Sequence, residues 1–494
     1  MAYQQHIPFL SIFIPLIFAI FIPLFKNRKA AKLITLSSII VEFILSAILI
    51  TYLNNYEQGF FTYQLGHYPA PWGNELRAGL FEAIIALTFG IIMFLSILGG
   101  SKGIEHDIKE RKQPFYYLML NLLLASLLAL VYTNDIFTAY VFLEINAVAA
   151  CAIVIAKESG DTIKATIKYF IMGVLGSGLY LLAVAILYSI TGHLLMSNMR
   201  DAILNLPTGY EIPMIVAMVL IVVGLAVKSA LFPFHTWLPD AHGSATSSAS
   251  AILSGLVLKG YIILLIKIIC RVYGIETIER LNILPIILIL GLLGMILGSV
   301  YALVQKDLKK MIAYSSVAQI GYIYLGIGLG TSAGLLASGF HIIVHAATKS
   351  MLFIASGNFI EITGSKKIED LNGVAHTDPK SGLSFLIGSL SMIGIPLFGG
   401  FVSKLLFIDS ALDSNLSIII LIGLAISTML NGMYYIPVLL RIYSKKDMIK
   451  HNLEFKSSDV VKYSLNRLIF INVILGIFSK PILNAILEGI KNLG

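Results

Sequence analysis

"GLAVKSALFPFHTWLPDAH", residues 224–242, is the stretch on which the fold turns. It lies in a strongly apolar run, yet it contains Lys228, His235, His242, Pro233 and Pro239. An interior proline lacks the backbone N–H and its ring clashes with the preceding turn, so a helix breaks there. In lipid, backbone groups freed by such a break are tolerated only against protein or a hydrated cavity. The stretch therefore reads as a broken membrane helix whose lysine faces the inside of a helix bundle.

The rest of the chain agrees. Of its 494 residues 57% are hydrophobic and only 13% are charged, and mean hydropathy is +0.87. That is too little charge to cover a soluble protein of this size. Apolar runs of about 20 residues, enough to cross a hydrocarbon layer ~30 Å thick, recur from end to end. The expected fold is an all-α polytopic membrane protein of about 14 transmembrane helices. Their expected bounds are Ile7–Phe25, Ala31–Tyr52, Leu80–Gly99, Pro114–Tyr132, Ile136–Ala156, Thr162–Thr191 and Ile212–Leu238. Ser244–Ile269, Leu284–Tyr301, Leu308–Gly328, Thr331–Ile360, Leu383–Ala411, Ile418–Tyr443 and Lys462–Leu487 follow. The first is longer than a signal-peptide core and no small-residue cleavage site follows it, so it is read as retained. His193–Leu206 is less hydrophobic and is expected to lie along the interface.

The formal charge of +8 could suggest a nucleic-acid partner, but the charges sit in short loops between spans. That placement speaks of topology. "KNRKAAK" (26–32), "SKGIEHDIKERK" (101–112), "KESGDTIK" (157–164), "QKDLKK" (305–310), "SKKIED" (365–370) and the run from Arg441 to Lys462 should share one side. The alternate loops add little beyond Arg77, Arg200, Arg271, Arg280 and Lys491. The positive-inside rule then puts both termini on the non-cytoplasmic side of the inner (plasma) membrane, as an even number of spans allows. The two cysteines, Cys151 and Cys270, have no metal-ligand spacing, and no glycine-rich phosphate loop follows a strand. No metal or cofactor is expected in this chain.

Of the charges inside spans, four are singled out as deep ones: Glu144, Lys228, Lys259 and Lys404. Facing lipid, they would together cost roughly 10–14 kcal/mol at ~2.5–3.5 kcal/mol each, so they are expected to face the bundle interior. Lys164, Lys267 and Lys480, nearer span ends, are expected to snorkel. A buried Glu–Lys pair is either a structural salt bridge or a proton device, because moving one partner changes the proton affinity of both. His341, His345 and Lys349 recur at helical spacing on one face. They suit a proton relay or helix–helix hydrogen bonding better than a metal site, since no acidic third ligand is nearby. His235 and His242 fall near the loop after the seventh span, where a proton would come in or leave, or where they are ordinary interfacial residues. The interrupted stretches "VKSALFPFHTWLP" (227–239) and "IPLFGGFVSK" (395–404) each fall fourth in a set of five spans, the hallmark of a repeat-built transporter.

"KSALFPFHTWLPDAH", "QKDLKKMIAYSSVAQIGY", "FHIIVHAATKSMLFIASG" and "PLFGGFVSK" resemble the antiporter-like proton-translocating family. That family supplies membrane subunits of respiratory complex I, of Mrp-type cation/proton antiporters and of membrane-bound hydrogenases. The resemblance implies three N-terminal helices (1–113), two inverted five-helix repeats with broken helices 7 and 12 (114–270 and 280–443) and a last helix (444–494). It also implies proton transfer by Glu144, Lys228, Lys259 and Lys404, relayed by His341, His345 and Lys349. Partners would be other membrane subunits, with Na⁺ passing through neighbours. Redox chemistry, if the parent complex performs any, would belong to those subunits. Lys404, where complex I's fourth-type subunit carries glutamate, favours the Mrp D-like branch. "EINAVAACAIV" departs from the family's usual sequence after its glutamate, which leaves the partners of Glu144 open. The competing readings are a stand-alone secondary transporter of a small solute and a non-conducting structural subunit.

Overall fold

The computed structural model describes residues 3–25, 27–68, 73–444 and 457–494. Lys26 and residues 445–456 of the expected charged run lie outside the described residues. Twelve of the described helices are long and apolar enough to cross a membrane. The two other expected spans are also helical. Leu308–Gly328 is continuous, and the twelfth is split into Pro379–Ile393 and Gly399–Leu412.

Local sequence sets the helix limits. Asp135, Ser159, Asp307 and Thr331 open the fifth, sixth, tenth and eleventh spans by accepting a backbone N–H of the first turn. Gly192 and Gly364 end the sixth and eleventh in the left-handed conformation. Asp135 caps at a cost: burial pushes its carboxyl above the usual carboxylate range, against the lowering pull of the Thr138 N–H. The stretch His193–Leu206 holds a short helix, Met196–Leu204. Phe60–Gln64 and Glu75–Gly79 pair as an antiparallel hairpin.

The last span departs from expectation. Lys462–Leu487 is two helices, Asp459–Ile477 and an amphipathic Ser479–Lys491. Pro481 explains the break, because it cannot donate to the carbonyl of Ile477 and its ring collides with it.

The eighth and eleventh spans are buried along nearly their whole length, whereas the first two present much of their surface outward. The most deeply placed helices are thus those that carry Lys259, His341, His345 and Lys349. At one end of the bundle the charged loops are tied together. Arg28 pairs with Glu110 at 3.4 Å, Lys157 with Asp107 at 2.9 Å, and Asp240 with both Lys168 at 2.9 Å and Lys310 at 3.2 Å. The hairpin strand carrying Arg77, together with Arg271, gathers at the chain's last described residues.

Lys267 does not snorkel. It is wholly buried, and its ammonium donates to the carbonyls of Leu130, Val131 and Thr133 where the fourth span ends. A cation placed on the last carbonyls of a helix meets both their unfilled lone pairs and the helix dipole. Lys164 and Lys480 are exposed, as expected. Lys267→Met should strand those carbonyls and destabilise the protein by about 1–3 kcal/mol. Thermal unfolding in detergent reads this as a lowered midpoint, with Lys267→Arg closer to wild type.

Candidate functional site

The seventh span runs Glu211–Ser229 and stops at Ala230, which takes the left-handed conformation (φ 58°), before Pro233 is reached. It resumes as a short helix, Leu238–Ser244. Trp237 Nε1 donates to the freed Val227 carbonyl at 3.0 Å. Lys228 therefore sits in the last turn of a half-helix, where the dipole favours a cation. Its ammonium lies 3.6 Å from Glu144 Oε1 and 5.6 Å from the centre of the Tyr261 ring. Gly176 of the sixth span makes room for it, since a Cβ there would lie 2.8 Å from the Gly224 carbonyl and 3.1 Å from Lys228 Cγ.

The departure after Glu144 now has a reading. Asn146 accepts from Tyr261 Oη at 2.7 Å and donates to Ser126 Oγ at 2.9 Å, which ties the fifth span to the eighth and fourth. Glu144 itself needs a correction. The Lys228 side chain is 2% exposed but that of Glu144 retains 34%, so it reaches the ammonium from the edge of the bundle, with Oε1 itself buried.

Lys259 is wholly buried and donates to the Ser254 carbonyl, within a π-helical turn over Leu253–Val257. It lies within electrostatic reach of His242, His341, His345 and Lys349. The two histidine rings stack at 5.8 Å with planes 5° apart, and His341 Nδ1 meets Ser403 Oγ at 2.9 Å. His341 Nε2 and both nitrogens of His345 are buried without a partner among the described residues. Lys349 bonds Ser315 Oγ, the Ile312 carbonyl at 3.1 Å and Tyr435 Oη at 3.3 Å. Lys404 closes the row. It follows the second break, at Gly394 (φ 93°), and donates to the Ile393 carbonyl at 2.7 Å and Thr428 Oγ1 at 3.0 Å.

The two outlying histidines are not loop residues. His242 is wholly buried, stacked on Phe353 at 4.6 Å, and within electrostatic reach of Lys309, Lys349 and Lys259. It belongs to the central row, because the residues after the break refold into a helix inside the protein. His235 is also buried, but among Phe232, Tyr301 and Tyr314, away from that row. At the charged-loop end, a cleft of about 670 Å³ is lined by Lys102, His106, Asp107, Glu361, Lys366 and Lys309. Lys309 is 5% exposed and donates to Ala245, which caps the short helix that carries His242.

Sequence reading missed Lys309, and it missed the buried Glu82–Arg271 pair, whose arginine also donates to the Leu493 carbonyl at 3.0 Å. It also missed Glu42, 1% exposed in the second span. Glu42 and Glu82 were legible, as lone acids in apolar runs. Lys309 was not, because a lysine at the first turn of a span normally faces water.

Residues 133–430, which include the whole row from Glu144 to Lys404, match a family described as NADH:quinone oxidoreductase/Mrp antiporter, transmembrane. The chain is 34% identical over 392 residues to the N subunit of NADH-quinone oxidoreductase from Desulforudis audaxviator, covering 78% of this chain and 75% of that one. It is 27% identical over 481 residues to the D subunit of the Na(+)/H(+) antiporter from Alkalihalophilus pseudofirmus, covering 97% and 95%. Its fold is similar to a chain of the membrane-bound sulfane sulfur reductase, an archaeal respiratory membrane complex (TM-score 0.90, 27% identity, 99% and 98% covered). A chain of the Mrp complex from Dietzia shares the fold at a TM-score of 0.89 and 20% identity, with 100% and 98% covered.

The unequal burial of the Glu144–Lys228 pair predicts unequal losses. Glu144→Gln strands a buried ammonium and should destabilise the protein by up to about 3–5 kcal/mol, whereas Lys228→Met strands a half-exposed carboxylate and should cost less. Replacing both should recover part of the first loss, and melting curves of the three variants in detergent check the order.

Proposed function

The chain belongs to the NADH:quinone oxidoreductase/Mrp antiporter membrane family, and on that premise we propose that it moves protons along its buried row of basic side chains. It is a multi-pass, antiporter-like subunit of a multisubunit membrane complex. The observation that carries the proposal is the sequence of buried bases Lys309, His242, Lys259, His345, His341 and Lys404, which runs through both helix breaks. A proton taken from the cleft at Lys309 would pass to His242 and Lys259. The unpartnered nitrogens of His345 and His341 are the atoms that would accept it and hand it on toward Lys404.

Glu144 and Lys228 set the charge at the edge of this row. When their 3.6 Å separation grows, each loses its counter-charge in a low-dielectric setting, and a proton moves to cancel the cost. Lysines along the row repel a bare Na⁺, so Na⁺ movement is assigned to neighbouring subunits. His235, away from the row, would have no part in it.

Finer assignments follow from particular features. A D-like role is favoured by Lys404 and by the end-to-end match to an antiporter chain of the D type. The two five-helix units, 114–270 and 280–443, are favoured by breaks in corresponding positions, with Lys228 in the last turn of one first half-helix and the Lys404 ammonium, reaching back from a second half-helix, on the last carbonyl of the other. The positive loops argue for the plasma membrane with both termini outside. The parent complex would be an Mrp-type antiporter or a redox pump with an Mrp-like module.

In the assembled complex reconstituted in vesicles, Lys228→Ala should keep its subunit composition but lose proton translocation at least about tenfold, the effect of a 1.4 kcal/mol higher barrier. Glu144→Gln should lower coupled transport similarly. Unchanged transport in assembled variants would sink the proposal, and solute uptake by the purified single chain would favour a stand-alone carrier.

A further inference from the structure

The second span carries a carboxylate that this row does not use. Glu42 lies midway along the helix Arg28–Leu53 and is 1% exposed. Its Oε1 accepts the Ser46 hydroxyl, one turn on, at 2.6 Å. Its Oε2 is buried without a hydrogen-bond partner among the described residues. The Ser11 hydroxyl of the first span stands beside it, and Tyr132 at the end of the fourth, next to Ser46, lies within its electrostatic reach. Each of these hydroxyls also lacks a hydrogen bond of its own. From the third span comes Gly90, where a Cβ would lie 3.7 Å from Glu42 Cγ, so that helix passes close without adding a polar group.

Among the described residues the polar groups around Glu42 are hydroxyls, and the Glu82 carboxylate that reaches Tyr132 is paired with Arg271. A hydroxyl can donate one hydrogen bond to a carboxylate but cannot cancel its charge. An ionised carboxylate in such a place is neutralised in practice, because leaving it charged is prohibitive. Three unpartnered oxygens drawn from three helices around one point also depart from the rule that buried polar atoms are bonded.

The geometry points to Glu42, with Ser11, Ser46 and Tyr132, as a second proton-binding site in the N-terminal helices, separate from the row between Glu144 and Lys404. The proton bonds to Oε2 and the carboxyl becomes neutral. The acid O–H then donates to the oxygen of Ser11 or Tyr132, while Ser46 still donates to Oε1. No charge remains, and Oε2 and the hydroxyl it donates to each gain a partner. The inference does not rest on the function proposed above, since it needs only the burial and surroundings of Glu42.

Infrared difference spectra of the assembled complex in lipid, taken in H₂O and D₂O, test it. The wild type should show a carboxylic-acid C=O band that shifts in D₂O. That band should be lost in Glu42→Gln and kept in Glu144→Gln, so the two proposals fail separately. Ser46→Ala leaves the carboxyl in place and should shift the band by removing its hydrogen bond, which keeps the test open should Glu42→Gln not assemble. If no band depends on Glu42 or Ser46, the inference is wrong. It is equally overturned if adding Na⁺ at constant pH replaces the acid band with a carboxylate signal, since the site would then hold a sodium ion.

Discussion

An ammonium group bonded to a helix-end or helix-break carbonyl is the interaction on which the interior of this protein depends. Lys259 meets Ser254 at a π-helical turn, and Lys404 meets Ile393 at the end of a half-helix. Lys267 and Lys309 likewise bond carbonyls at the ends of the fourth span and of the short helix after the first break. In each case the chain leaves a carbonyl without its usual intrahelical partner, or shares one, and a lysine supplies the missing donor. A break in a membrane helix and a lysine at membrane depth are each costly alone. Together each meets the other's need.

This choice of partner bears on chemistry. A carboxylate beside each lysine would hold it charged through a strong charge-assisted bond. A carbonyl is a neutral dipole, which orients the ammonium but binds it less firmly, so loss of the proton leaves no buried anion behind. The stacked histidines extend the same logic with groups that accept and donate through two ring nitrogens. Glu144 is the exception. It lies at the bundle edge, where it pairs with Lys228.

Much of this was readable in the linear chain, and the reason differs by feature. Apolar runs report the bilayer directly, so the all-α polytopic architecture emerged with helix bounds mostly within a few residues. Pro233 and the proline and paired glycines of residues 395–404 announced both breaks, though the first begins at Ala230, whose left-handed turn no residue preference signals, and the second at Gly394. Pro481 stood in plain view, yet the run around it was apolar enough to read as one span. Lys267 looked like a snorkelling residue because it is near a span end. Its real partner is the end of a helix more than 130 residues earlier.

The sequence by itself determined that this is a bundle of membrane helices with ionisable groups at depth, because hydropathy and helical period are local properties that the bilayer reads residue by residue. Tertiary structure alone decided which of those groups meet. Lys259 comes within electrostatic reach of His242, His341 and His345, and Glu144 meets Lys228 from the bundle edge. Such contacts depend on how helices far apart in the chain rotate against one another, and a rotation leaves no mark on hydrophobic pattern when nearly every face of a central helix is buried.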